Sequence, residues 1–377
     1  MVLLITPFVV SLAAALVVRD QQPQPLSFTL SKLPKKSVVK TDHLSRAKNA
    51  GAQNVKINTT NYSVRLGLIK QQQTVDVELD TGSPYLWYDA SKLKDTSGFN
   101  NSGIPFGIEY EDGSAAKGDF GTSSVWLETG VEVKNFQWAL ANTVTLTDNL
   151  TGIFGIGGST KLNITKGVPY TRFPQKLKDE GITLSNSYSY YLNKPDATLG
   201  SLTFGGRDLA KIKGPIATIP LVTTGDNAVY DTIKTTVKLT DSDGGSGNAE
   251  FEGIVDTGTT LSFFPESLFN NIKVESLVWD PKGYQIDCNA PSNKYVSLWF
   301  GTVEIKIPYK DLALTIYDNN GNPSGKCYFG FQPVLPDSGF TFGDTFLRSA
   351  YVTINHDTNQ VSLSEVNYTT TENIVSV

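Results

Sequence analysis

Apolar and polar residues alternate over long stretches of this chain. Val64, Leu66 and Leu68 take every second position, as do Val75, Val77 and Leu79, with Asp76 and Glu78 between the latter three. A period of two marks strands with one buried face. Asp80 continues the polar phase of the second strand and runs straight into Thr81-Gly82-Ser83, which predicts an acid held at a strand end where a glycine turn begins. The arrangement recurs a domain's length downstream, where the apolar run Gly253-Ile254-Val255 ends in Asp256-Thr257-Gly258-Thr259. Each copy is followed by an apolar segment bearing glycine, Gly152 to Gly157 after the first and Phe340 to Asp344 after the second. One plan used twice predicts two similar lobes with a cleft between them. Helical stretches are few. Pro174 to Glu180, closed by Gly181, and Pro265 to about Ile272 each open on a proline suited to a first helical turn. Asp241 to Gly247 reads as a flexible loop inside one lobe, because strand-like sequence flanks it closely.

Composition turns this into an all-β expectation. The 377 residues are enough for two domains, and the 33 glycines with 19 Phe, 16 Tyr and 5 Trp favour strands and turns. The boundaries expected are 1–18 for a signal peptide, 19–48 for a basic leader, 49–195 for the first lobe and 196–377 for the second. Leu3 to Val18 is apolar apart from Thr6, Pro7 and Ser11, too short to span a bilayer, and Ala13 to Ala15 suit a signal-peptidase site. Export is therefore expected, and the C-terminal residues lack the apolar tail of a lipid-anchor signal, so no stable membrane association is expected. Asn58, Asn61, Asn100, Asn149, Asn163 and Asn367 match the N-glycosylation pattern. Cys288 and Cys327, the only cysteines, read as one disulfide in an oxidising compartment, with two reduced buried thiols as the alternative.

Charge is uneven. Arg19, Lys32, Lys35, Lys36, Lys40, Arg46 and Lys48 stand against Asp20 and Asp42 in the leader, although the whole chain carries −5. A basic leader before an acidic body argues against nucleic acid as a partner and for the leader docking on the body.

Two carboxylates that share one proton can activate a water and protonate a leaving nitrogen, because like charges a few Å apart do not both ionise. Hydroxyls and backbone amides directly after each Asp can orient its carboxylate. Other hydrolytic chemistries are poorly supplied: the only histidines are His43, in the leader, and His356, which reads as a surface turn residue in Asn355-His356-Asp357. No zinc-binding or nucleophile-elbow motif is present, and neither metal nor cofactor is expected.

These segments closely resemble the pepsin family, and within it the secreted aspartic proteases of yeasts, over roughly residues 50–366. Asp80-Thr81-Gly82-Ser83 with Leu86-Trp87 matches the first active-site segment, and Asp256-Thr257-Gly258-Thr259-Thr260 the second. The resemblance implies a bilobal, pepsin-like acid protease fold and an aspartic-type endopeptidase made as a zymogen, acting as a monomer on polypeptides. Asp80 and Asp256 would bind the attacking water, Ser83 and Thr259 support their outer oxygens, and Thr81 and Thr257 tie the loops together. Ile108 to Ser114 is similar to the flap, with Tyr110 as its tyrosine, Glu111, Asp112 and Gly113 at its tip and Trp87 as a partner. The leader would act as a pro-segment, with Lys35-Lys36 or Lys40 supplying a cation near the dyad and release at low pH.

Pro84 and Tyr85 replace the small polar pair common after the first Asp-Thr-Gly-Ser, and Glu111 stands where glycine is usual. These departures bear on substrate preference and flap mobility, with the acidic Glu111-Asp112 pair as an attractor for basic side chains. Two rival functions remain on this reading: a catalytically silent pepsin-fold peptide-binding protein, and a β-rich glycosidase with paired carboxylates, which has no reason to repeat Asp-Thr-Gly.

Overall fold

The computed structural model describes residues 22–41, 44, 54–110, 113–145, 151–158, 163–164, 168–225, 229–335 and 338–377. The expected signal peptide lies outside them. The alternating segments are strands: β1 (Leu26–Lys40), β2 (Asn54–Leu68), β3 (Thr74–Asp80), β4 (Leu86–Asp89), β5 (Asn100–Glu109), β6 (Ala115–Leu127), β7 (Glu132–Thr145) and β8 (Gly152–Gly155). β2 and β3 pair antiparallel with Val64 opposite Val77 and Leu66 opposite Val75, and all six apolar residues of the pattern are buried. Arg65 and Asp76 project from the opposite face and pair there at 2.9 Å. The remaining two helices among the described residues are short, α1 (Phe173–Asp179) and α2 (Asp344–Leu347).

The two halves repeat one topology around their acidic strand ends. In the first, β3 lies parallel to β8, with Asp80 opposite Gly155, while β4 runs antiparallel to β8 and parallel to β7. In the second, strand Ser246–Val255 lies parallel to Phe340–Phe342, while Ser262–Pro265 runs antiparallel to Phe340–Phe342 and parallel to Phe331–Val334. An antiparallel sheet of six strands underlies both halves, in the order β1, Leu199–Phe204, Ser187–Tyr191, Ala350–Asn355, Gln360–Val366, Ile212–Pro220. One continuous apolar cluster runs from this sheet into both halves.

The basic leader is part of that sheet. Phe28 and Leu30 of β1 are buried, Phe28 meeting Phe204 edge-on at 5.7 Å, and the second half of β1 pairs with β2 from Ser31–Ser63 to Lys40–Asn54. A docked leader, not a solvated linker, is what the basic segment forms.

Two local expectations need correction. Pro265 to Ile272 yields only a single 3-10 turn, Glu266–Phe269, while α1 carries Pro174 in its first turn as expected. Asp241 to Gly247 is no loose loop but the turn joining strands Thr232–Asp241 and Ser246–Val255. The Asp241 carboxylate accepts the backbone N–H groups of Asp243, Gly245 and Lys273 at 2.9, 2.9 and 2.7 Å, in the manner of an Asx turn. Cys288 and Cys327 form the disulfide, with Cα atoms 5.1 Å apart.

Candidate active site

The Asp80 and Asp256 loops face each other at the centre of the molecule. Each carboxylate is held the same way. Gly82 N–H donates to Asp80 Oδ1 at 2.7 Å and Ser83 Oγ to Oδ2 at 2.5 Å. Gly258 N–H donates to Asp256 Oδ1 at 2.8 Å and Thr259 Oγ1 to Oδ2 at 2.5 Å. Hydroxyls lock the two loops crosswise. Thr81 Oγ1 accepts Thr257 N–H at 3.0 Å and donates to Val255 O at 2.9 Å; Thr257 Oγ1 accepts Thr81 N–H at 3.2 Å and donates to Leu79 O at 3.0 Å. Both hydroxyls are thus saturated in a buried position, where an unmatched polar group would be costly.

The pair is asymmetric in burial. Asp80 is 6 % exposed, and Asp256 is more open to solvent. Burial first, then the Asp256 charge, pushes the Asp80 carboxyl up to about 7, against the opposing hydrogen bonds from Ser83 and Gly82.

The flap is a hairpin of β5 and β6, with Glu109 opposite Ala115 and a turn closed by Tyr110 N–H to Ser114 O at 2.8 Å and Gly113 N–H to Tyr110 O at 2.9 Å. Gly113 has φ +89°, which only glycine adopts freely. Trp87 Nε1–H, from the fully buried Trp87, donates to Tyr110 Oη at 2.8 Å. Burial and the Asp80 charge push the Tyr110 phenol up, against contacts with Trp87 and Ser83, so the flap tyrosine sits in the field of the dyad. Glu111 and Asp112 lie outside the described residues.

Tyr85 has a role the sequence did not disclose. Its ring packs edge-on against Phe106 of β5, Phe120 of β6 and Tyr170, at centroid distances of 6.1, 5.5 and 4.9 Å. It therefore anchors the base of the flap hairpin to the first lobe.

The structure places two of the leader lysines, Lys36 and Lys40. Lys36 Nζ lies 3.9 Å from the Tyr317 ring centre and donates to Gly321 O at 3.1 Å. Lys40 Nζ comes within 3.8 Å of the place a Cβ would occupy on Gly113, at the flap turn. Leu44 is buried and bridges to Val334 in the second half, so the leader passes from the flap side to the second lobe.

His356 is not a surface turn residue. It is 7 % exposed and lies between Arg172 and Asp231, both 1 % exposed. The register of Val352 and Ile354 carries on to His356, so the period-two pattern held the signal for its burial. Nothing in the sequence tied Arg172 or Asp231 to it. Of the glycosylation candidates, Asn100 and Asn367 are exposed, Asn58 and Asn61 are half-buried in β2, and the side chains of Asn149 and Asn163 lie outside the described residues. Among the described residues no group of His, Cys, Asp or Glu could hold a metal ion, and no helix is long and apolar enough to cross a membrane.

Comparison with known proteins agrees with this geometry. The eukaryotic aspartyl protease family profile matches residues 61–366. The chain is 30 % identical to Candidapepsin-3 of Candida albicans (strain WO-1), covering 90 % of this chain and 91 % of that protein. It is also 30 % identical to Secreted aspartic protease 6 of Candida albicans, covering 84 % and 78 %, and to an acid protease of Saccharomycopsis fibuligera, covering 78 % of each. In fold it is similar to the crystal structure of the aspartic proteinase from Irpex lacteus, with a TM-score of 0.68 at 20 % identity over 90 % of this chain and 99 % of that one. The chain belongs to the eukaryotic aspartyl protease, or pepsin, family and is an aspartic-type endopeptidase.

Proposed function

We propose that this protein is a secreted endopeptidase, made as a zymogen and active in acid, that hydrolyses peptide bonds with a water held between Asp80 and Asp256. The observation that carries this is the near two-fold pair of carboxylates, each bound by the amide and hydroxyl that follow it and locked by Thr81 and Thr257. In this reading the pair shares one proton, assigned to the more deeply buried Asp80, and Asp256 acts as the base. Asp256 takes a proton from the water as its oxygen attacks the scissile carbonyl carbon. Asp80 donates its proton to the developing oxyanion; the proton gained by Asp256 then passes to the leaving nitrogen as the C–N bond breaks, and a diol hydroxyl returns a proton to Asp80. The flap hairpin, braced by the Trp87–Tyr110 bond and the Tyr85 ring cluster, would close over a bound strand and exclude water.

The leader supports the zymogen reading. It fills the edge of the six-stranded sheet, reaches the flap turn through Lys40 and continues to the second lobe at Leu44, a course that would obstruct the cleft. The names of the secreted yeast relatives and the apolar N-terminal stretch support export.

The test is digestion of a denatured protein or peptide library at about pH 3–5 by secreted wild-type protein, Asp80→Asn and Asp256→Asn. Cleavage by the wild type alone is the expected result. An inert wild type, once freed of its leader, would hand the function to the peptide-binding alternative.

A further inference from the structure

One hydrogen bond beyond the dyad loops lies a buried group of charges that the proposed mechanism does not use. Arg172 precedes α1, Asp231 precedes the strand Thr232–Asp241, and His356 follows the strand Ala350–Asn355. Resting on the proposed function, we propose that these three residues form a clamp that positions the two catalytic loops relative to each other, with the proton on His356 Nε2 deciding which loop the imidazole ties.

Each arm of the clamp ends on the backbone of one catalytic loop. On the first side, Arg172 Nη1 donates to Ile156 O at 3.3 Å, and Ile156 N–H donates in turn to Asp80 O at 3.0 Å. The neighbouring Gly157 packs so closely on Thr81 that a Cβ there would lie 1.8 Å from Thr81 O, and 3.2 Å from Asp231 Oδ2. On the second side, Asp231 O accepts Val255 N–H at 3.0 Å, the peptide directly before Asp256. The other end of Val255 is the carbonyl that Thr81 Oγ1 binds. Displacing Arg172 or Asp231 therefore shifts an atom one hydrogen bond away from each catalytic strand end.

His356 Nε2 joins the arms, and it serves one at a time. It lies 3.0 Å from Arg172 Nη1 and 3.2 Å from Asp231 Oδ1. Arginine only donates, so an unprotonated Nε2 accepts from Arg172 and leaves Asp231 Oδ1 without a donor; a protonated Nε2 donates to Asp231 Oδ1 and releases Arg172 to Ile156 O alone. Among the described residues, Asp231 Oδ1, Arg172 Nε and Arg172 Nη2 have no hydrogen-bond partner, which leaves an acceptor and donors free for the exchange. The other groups facing the ring are Tyr188, whose hydroxyl donates to Asp231 Oδ2 and whose ring centre is 6.2 Å away, and the Lys178–Asp357 pair beside it. Burial pushes the Asp231 carboxyl up, but His356, Arg172 and Tyr188 together hold it below the usual range.

The experiment measures kcat and KM of a peptide substrate over a range of pH. The full-length chain is brought to its active form in acid, and active sites are counted by titration with a statine-type inhibitor. Arg172→Met is expected to lower kcat roughly tenfold with KM within about twofold, since a sub-ångström displacement of the reacting groups affects turnover more than binding. Arg172→Lys, which keeps a donor for Ile156 O, should recover most of that loss. His356→Gln should alter the pH dependence of kcat, because its amide cannot pass one ring proton between the two arms as Nε2 can. Should Arg172→Met yield no titratable sites, Arg172→Lys and His356→Gln decide. The clamp is overturned by wild-type kcat in Arg172→Met together with a lower urea midpoint, which is a structural role only, or by a His356→Gln pH profile that superimposes on the wild type. An inert wild type overturns the protease reading and the clamp with it; an active wild type with unaffected variants overturns the clamp alone.

Discussion

A methyl group on Gly82 would start 2.5 Å from Cγ and Oδ1 of Asp256, and one on Gly258 2.8 Å from Asp80 Oδ1. Each loop's glycine is therefore the floor on which the opposite carboxylate rests. Gly82→Ala is expected to lower kcat/KM about 100-fold while costing only about 1–3 kcal/mol of stability, as strain in a packed site does. The comparison of peptide turnover with a urea midpoint reads both. Asp80 itself predicts a pH effect. Its carboxyl stands near 7 in the fold against 3.8 when unperturbed. Its contribution to stability is thus fully present below about pH 4 and is lost as the pH rises through about 7. Asp80→Asn should stabilise the fold at pH 8 by on the order of 2–4 kcal/mol, and the gain should vanish near pH 4. At this scale the sequence was readable where function imposes a local motif: Asp80, Asp256 and their hydroxyls were found because the chemistry needs them adjacent in the chain. Arg172, Asp231 and His356 were not, because nothing local links residues that meet only through three separate elements.

Strands were the most legible elements, since burial on one face writes itself into every second residue. A hairpin does occupy the segment likened to a flap, because a hairpin's turn glycine and alternation are both local. What failed were the judgements about ends and turns. Pro265 promised a helix, but Phe264, Leu268 and Phe269 are all drawn into the core, and one 3-10 turn is all that this burial allows. Asp241 looked like the start of a flexible loop rich in glycine and serine. Its carboxylate instead gathers three backbone donors, including Lys273 from a distant segment. Asp241→Ala should cost about 2–4 kcal/mol, because those N–H groups lose a charged acceptor. Thermal unfolding of the variant gives the figure, and an unchanged midpoint would mean that water replaces the carboxylate without loss.

For the molecule as a whole, the repeat of Asp-Thr-Gly revealed two lobes, but not the sheet that joins them, whose strands come from both ends of the chain. The leader's basic charge was legible; its contacts were not. Lys32 is buried, donates to the carbonyls of Asn193 and Lys194, and stands 5.4 Å from the Tyr62 ring centre. Burial lowers its ammonium to about 8, with the Asp344 charge opposing. Docking that buries this group is favoured above about pH 10.5 and loses that contribution as the pH falls through 8, below which the penalty is constant. Lys32 therefore does not provide release in acid. Lys32→Met should change the rate of leader release by the same factor at pH 4 and pH 7, whereas a factor that grows on acidification would place the trigger at Lys32 after all.

Because β1 closes the edge of the central sheet and seals Phe204 and Leu202 with Phe28 and Leu30, its removal is a strand exchange rather than a trimming. The vacated edge of Leu199–Phe204 would offer a row of unpaired amides and carbonyls beside bare apolar side chains, a template for adhesion to any extended chain. Order of events then decides the fate of the protein. A polypeptide synthesised without residues 19–40 would meet that open edge while still folding and aggregate, whereas the same residues cut away afterwards leave a formed core that another segment can cover. In this light β1 is a scaffold for assembly as well as the edge strand of the sheet.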